Sequence, residues 1–257
     1  MPPTPVEGSR VRSTLLWWSG VAAILLAWQI AALYQPAYVL PGPLPTLRAL
    51  GELWDEGAIT AGLALTLERA ALGLLGACAI GLPWGWASGT WSAVREATDF
   101  WLQMLMALPP IVIVVVGMVW LGPKPEVVLL VVTLVSLPLL TTATRDAIAR
   151  VDTDLLDMTR VFAFTPAMVV RHLIFPAVAG PVLSALTVAV GQSIRLTVMA
   201  ELLSTTTGLG AGVQLARANL DTDDVFAYTL LMIVLTVCLE LLVLAPLRRS
   251  VQRHLGG

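Results

Sequence analysis

Lysine occurs once in this chain of 257 residues, histidine twice and cysteine twice, and only 12% of the residues are charged. Each scarcity excludes a class of function. So little charge cannot solvate the surface of a soluble domain of this length. The single lysine, Lys124, stands between two prolines, so there is no Gly-Lys phosphate loop and no ATPase site of that type. His172 and His254 cannot build a three-histidine zinc site. Cys78 and Cys238 both fall inside apolar runs, where they read as small packing residues and not as a disulfide framework. The basic residues are scattered arginines with no basic face, so no nucleic-acid partner is expected. No nucleophile elbow and no pair of membrane carboxylates marks an enzyme.

What remains is apolar: 57% of the residues are hydrophobic. A helix needs roughly 20 apolar residues to cross the hydrocarbon core of a bilayer. Six runs meet that measure, near 15–34, 65–88, 101–121, 126–143, 178–202 and 226–246. Their lengths specify helices. The valine run 112–116 suits a strand by itself, but the apolar stretch around it is too long for one. Pro83, Pro138 and Pro181 stand inside these runs as candidate helix breakers. No extramembrane stretch is long enough for a separate soluble unit, so one membrane domain over 1–257 is expected. Its parts are a tail at 1–14, a loop at 144–176 and a second tail at 247–257. Arg10 and Arg12 precede an apolar run too long for a signal-peptide core, which reads as a retained first span.

Arginine placement predicts orientation, because cytoplasmic loops hold the excess of basic residues. With both termini inside, Arg10, Arg12, Arg95, Arg145, Arg150, Arg160, Arg171, Arg248, Arg249 and Arg253 are cytoplasmic, against Arg48, Lys124 and Arg217 outside. Trp17, Trp18, Trp91 and Trp101 fit the inner interface, and Tyr34, Tyr38, Trp120 and Tyr228 the outer one.

The most informative stretch is cytoplasmic on this reading. Residues 157–176, DMTRVFAFTPAMVVRHLIFP, interleave Asp157, Arg160, Arg171 and His172 with Phe162, Phe164, Met168 and Phe175. Thr153 is positioned to cap a first short helix. Thr165-Pro166 opens a second, and Phe175-Pro176 is expected to end it and turn the chain back to the bilayer. Local chemistry alone fits either a docking element or an amphipathic helix lying among headgroups.

These residues resemble the permease subunits of binding-protein-dependent ABC importers, whose loop reads E-A-A, three residues, G, nine residues, I-x-L-P. Asp157 falls at the Glu, Met158 and Thr159 at the two Ala, Ala163 at the Gly, and Leu173, Phe175 and Pro176 at I-x-L-P. Ala in place of Gly matters if the bend needs a positive φ. Tyr38–Pro45, Thr66–Arg69, Met106–Pro109, Trp120–Gly122, Val198–Glu201 and Gly208–Gly210 resemble, in order, landmarks of the taurine, alkanesulfonate and nitrate branch.

The resemblance implies an all-α membrane protein of the type I importer architecture, with six spans and a cytoplasmic coupling helix. It implies a non-catalytic subunit of the bacterial inner membrane. ATP and magnesium would be held by two copies of a separate cytoplasmic ATPase. The other partners it implies are a periplasmic or lipid-anchored solute-binding protein, a second permease copy in a homodimer, and membrane lipid. Asp157, Arg160, Phe162, Ala163, Phe164, Met168, Arg171 and Pro176 would then carry the coupling contact.

Ionisable groups inside spans mark the other candidates. Glu68 and Arg69 lie near a span end, where snorkelling would suffice, and Glu240 lies nearer the opposite face. In the fifth span Gln192 and Arg195 share a face with Val188 and Met199, while Ser193, Thr197, Glu201 and Ser204 share a roughly opposite one. Gln192, Arg195, Met199 and Glu201 are the pathway candidates. An arginine facing a pathway suits an anionic solute, whereas an Arg195–Glu201 pair would only fix packing. Two other functions fit the composition: an ion-gradient-driven secondary transporter and a membrane assembly subunit without transport.

Overall fold

The computed structural model describes residues 7–239 and 241, and its regular elements there are all helices joined by short connections. In chain order the helices are α1 (Glu7–Tyr34), α2 (Pro43–Asp55), α3 (Ala58–Thr90), α4 (Ser92–Ala107), α5 (Pro110–Leu121), α6 (Pro125–Ala149), α7 (Thr153–Val161), α8 (Pro166–Val169), α9 (Phe175–Ser204), α10 (Leu209–Asn219) and α11 (Thr222–Leu239). Four stretches are long and apolar enough to cross a membrane: α3, α6, the run Pro166–Ser204 and α11. The pair α4 and α5 makes a fifth if taken as one broken span.

That break corrects the straight third span expected over 101–121. The two helices meet at 97°. Leu108 and Pro109 are both extended, with ψ of 123° and 135°. Tandem prolines at 109 and 110 explain it, since a residue before proline is pushed out of the helical region. The prolines expected to break spans do not do so: Pro83, Pro138 and Pro181 lie inside continuous helices. Tyr228 is buried among Ala49, Leu53, Ile59 and Leu209, so its ring packs inside the bundle instead of facing headgroups.

α6 is the hub, packed against α3, α4, α5 and α9. Its contact with α3 is the tightest, and the sequence explains it. Gly73, Ala77, Gly81, Gly85 and Gly89 recur every fourth residue and form one bare ridge along α3. A Cβ at Gly73 would lie 2.6 Å from the Val132 Cβ, and one at Gly85 would lie 2.6 Å from the Thr141 carbonyl oxygen. The Thr133 hydroxyl crosses the seam to donate to the Gly73 carbonyl at 2.9 Å. Elsewhere on α6, Val127, Val128 and Val131 pack with Ile113, Val114 and Ala200, and Leu140 packs with Ala77, Ala185 and Ala189. α11 lies against α2 and α10. Trp28 of α1 donates to the Pro41 carbonyl at 2.9 Å and stacks on Phe226.

The α3–α6 seam generates a test. Gly85→Ala gains helix propensity but drives a methyl into a backbone carbonyl. A net loss of about 2 kcal/mol is expected, read as a lower thermal midpoint of the detergent-purified protein. An unchanged or raised midpoint would mean that the two helices are not in backbone contact there.

Candidate functional site

Three features of the bundle carry polar chemistry. The first lies at the end of α9 remote from the 157–176 bend. Glu201 is fully buried. Its Oε1 accepts from Arg69 Nη1 at 2.6 Å, and its Oε2 accepts from the Thr66 hydroxyl at 2.8 Å and the Gly210 amide at 3.2 Å. Arg69 also donates to the Thr207 carbonyl at 2.7 Å and to the Thr207 hydroxyl at 2.8 Å. The Thr66 oxygen accepts from the Leu209 amide at 3.0 Å. Arg69 is therefore an interior residue, not a snorkelling one, whereas its neighbour Glu68 is exposed.

The two glycines of the 208–210 segment make room for this clamp. Gly208 has φ of +105°, and a Cβ there would fall 2.2 Å from the Glu201 carboxylate. A Cβ on Gly210 would fall 2.3 Å from the Val198 carbonyl. Three short segments, 66–69, Glu201 and 208–210, thus supply a cation, an anion and a bare backbone to one point, with Arg69 lying 132 residues before Glu201. Each segment was visible in the sequence, but their convergence was not. The signal was that one segment carried an arginine, one a glutamate and one two glycines.

The second feature is the exposed stripe of α9. Ser193, Thr197, Glu201 and Ser204 are buried and belong to the packed face. On the other side Val188 and Arg195 are exposed, and Gln192 and Met199 are partly so. Arg195 is not the partner of Glu201, whose carboxylate is taken by Arg69, Thr66 and Gly210. Among the described residues no acid pairs with Arg195. Glu201 points into the packing, not along the stripe. Glu240 lies outside the described residues.

The third feature is the bend at 157–176. α7 starts at Thr153, and the cap is Asp152, whose carboxylate accepts from the Asp154 amide at 2.9 Å. The expected cap, Thr153, is instead the first helical residue. The Thr153 and Arg160 side chains lie outside the described part of the chain. α7 ends at a left-handed residue, Ala163, with φ of +52°. The Phe164 amide reaches back to the Thr159 carbonyl at 2.9 Å, the long closing bond of a Schellman motif. This position favours glycine, so alanine here carries a conformational cost.

The Thr165 hydroxyl then accepts from the Met168 amide at 3.4 Å and caps α8. The chain does not turn at Phe175-Pro176. It passes through a π-type turn, Val170–Ile174, in which the Phe175 amide bonds to the Val170 carbonyl, and runs on into α9. The wider turn lets Pro176 enter the next helix at its first turn, where its missing N–H is harmless. Val161, Phe162 and Phe175 are 81%, 66% and 65% exposed, a large apolar surface on a short polar bend. Asp157, Phe164, Met168, Arg171 and Pro176 are exposed beside them. Close to this end Arg145 bonds to Asp99 and, at 3.1 Å, to Asp146, which ties α4 to α6.

Comparison with known proteins agrees with this arrangement. Residues 80–251 match the family described as binding-protein-dependent transport system inner membrane component, and the chain belongs to that family. It is a non-catalytic permease component of an importer of the ABC type. A probable ABC transporter permease of Brucella melitensis is 26% identical over 216 residues, which is 84% of this chain and 88% of the relative. The taurine transport system permease protein TauC of Escherichia coli is 27% identical over 245 residues, covering 91% of this chain and 88% of TauC. The putative aliphatic sulfonates transport permease protein SsuC of Bacillus subtilis is 28% identical over 235 residues, with 88% and 85% covered. In fold, the chain superposes on an inward-facing MetNI methionine ABC transporter with a TM-score of 0.64 at 17% identity, over 78% of this chain and 97% of that one. An amino acid ABC transporter solved with histidines gives 0.66 at 16%, over the same shares.

The Ala163 bend yields a prediction of unusual sign. Ala163→Gly should stabilise the bend by about 1 kcal/mol, because it removes the left-handed strain of an L-residue. Slower hydrogen exchange of the Phe164 amide would report it. Faster exchange would mean that the bend does not hold that conformation.

Proposed function

We propose that this chain forms the membrane pathway for a small anionic solute. The cargo would be delivered by a solute-binding protein and its passage driven by a separate ATPase. Arg195 carries the reading. A charged side chain at the centre of a bilayer is costly, and such residues face a bundle interior or water. Arg195 is exposed on α9 and has no acidic partner in its own chain among the described residues. A water-filled pathway lined by Val188, Gln192, Arg195 and Met199 accommodates it, and an anion complements it. The relatives named for aliphatic sulfonates, taurine and nitrate are consistent with that charge. Glu201 does not belong to this lining, because its carboxylate is fully used in packing.

The coupling surface is the bend. Phe162, Phe164 and Met168 offer apolar anchors, with Asp157 and Arg171 as a polar rim. This surface would dock in a cleft of the ATPase, which holds the magnesium and ATP. Ala163 and Pro176 set the path of the backbone through it. ATPase closure would then bias the bundle between inward-open and outward-open arrangements. The assembly would be two copies of this chain with two ATPases. Both termini and the bend would be cytoplasmic, as the arginine distribution indicates. α1 would be the sixth span, with the clamp at the outer end. An ATPase docking surface separates this reading from a secondary transporter or a passive assembly subunit, neither of which needs one.

Two outcomes are expected. Phe162→Asp places a charge where an apolar pocket would receive the ring, and it should weaken docking by several kcal/mol if the residue is a hot spot, about 2 or more. The ATPase should then be lost on co-purification while the permease still inserts. Full co-purification with normal uptake would place the bend among the headgroups instead. Arg195→Gln should lower uptake of a sulfonate about tenfold with the complex still assembled, the size expected for about 1.4 kcal/mol. A loss of thermal stability that matches the loss of uptake would mean a packing role.

A further inference from the structure

The bend between α4 and α5 leaves a hollow in its elbow. It is a cavity of about 350 Å³, lined by residues that include Met106, Leu108, Pro110, Pro138, Val188 and Gln192. Small-molecule sites run from roughly 300 to 1,000 Å³, so the size is that of a compact ligand. Four helices reach this hollow: α4 by its end, α5 by its start, α6 by its middle and α9 by its exposed stripe.

Eight of the ten lining side chains are apolar. Thr142 contributes a hydroxyl, but that proton is already given to the Pro138 carbonyl at 2.7 Å. Gln192 is therefore the lining side chain with donors to offer. Arg195 stands one helical turn further along the same face, exposed and without an acidic partner among the described residues. The combination is asymmetric: an apolar hollow, an amide at its edge, and a cation just beyond.

We infer that the elbow cavity and Arg195 together form a binding site within the membrane for a small organic anion with an apolar body. The anionic head meets Arg195 and the Gln192 amide, and the apolar body fills the hollow between α4, α6 and α9. A small inorganic oxyanion does not match. It could meet Arg195 and the Gln192 amide, but it has no apolar body to fill the hollow and leaves that surface to water. An uncharged apolar molecule would leave the arginine unused. The inference rests on the reading of the α9 stripe as pathway, and it adds the shape and chemistry of the cargo.

The test uses the full permease–ATPase complex in lipid nanodiscs, without a binding protein, so that selection by that partner does not enter. Methanesulfonate, butanesulfonate, hexanesulfonate and nitrate are titrated by calorimetry. Each buried methylene contributes about fourfold in affinity. Hexanesulfonate should therefore bind at least tenfold more tightly than methanesulfonate, and nitrate should bind no better than methanesulfonate. Val188→Trp or Met106→Trp, which fill the hollow from two different helices, should flatten the series. Arg195→Gln should weaken every sulfonate.

A flat series in the unmodified complex overturns the inference. So does a chain-length gain that survives both tryptophan variants, because partition into lipid would then explain it. If ATP turnover still responds to a loaded binding protein in that case, the pathway reading stands and only the cavity assignment falls. A chain that assembles with no ATPase removes both.

Discussion

The bond between Arg69 and Glu201 is the constraint on which one end of this bundle depends. It joins two helices whose partners lie 132 residues apart in sequence, and it places both charges out of solvent. A buried pair is not by itself a source of stability, because desolvation offsets the attraction. Its effect here is to leave few alternatives. A carboxylate with no water must keep its donors, so Thr66, Arg69 and the Gly210 amide are held at fixed places around it. Through Thr207 and Leu209 the same cluster holds the segment between α9 and α10. The glycines at 208 and 210 follow from the same demand, since a methyl at either one meets the carboxylate or the α9 backbone.

The rest of the bundle is organised by how closely helices approach. The bare ridge of α3 lets α6 come near enough for backbone contact, and α6 also supports α5 and α9. The bent pair α4–α5 cannot pack along α6 in the same way, and the elbow cavity is what remains. Rigid packing on one side of α6 and an open hollow on the other give the chain a fixed wall and a lined space. A permease that changes its access without chemistry of its own needs both.

Much of this was legible in the sequence, and the exceptions have physical reasons. Run length found α3, α6, α9 and α11, because a long apolar helix has few other fates. Cap chemistry found the second short helix of the bend at Thr165-Pro166 and set the start of the first one residue late, since Asp152 and not Thr153 caps it, and Ala163 does adopt the positive φ that its place implied. The elbow was missed because the apolar run continues through Leu108-Pro109-Pro110, and hydropathy does not register a turn in direction. The π-type turn was missed because Pro176 reads as a stop unless the preceding turn widens. Arg69 was misplaced near a lipid interface, since its partner is invisible locally. The four-residue spacing of small residues on α3 was present in the sequence, and only the contact distances reveal its meaning.

The clamp is tested most directly by a double-mutant cycle on thermal or denaturant stability with Arg69→Met, Glu201→Gln and the two together. Breaking a buried pair by removing one partner costs about 3–5 kcal/mol, because the other charge is left alone. The account predicts that each single variant is strongly destabilised and that the double variant is little worse than either. The coupling energy should then be about 2 kcal/mol or more. Additive effects, with coupling below about 0.5 kcal/mol, would contradict it, because they would mean that the two residues do not share one site.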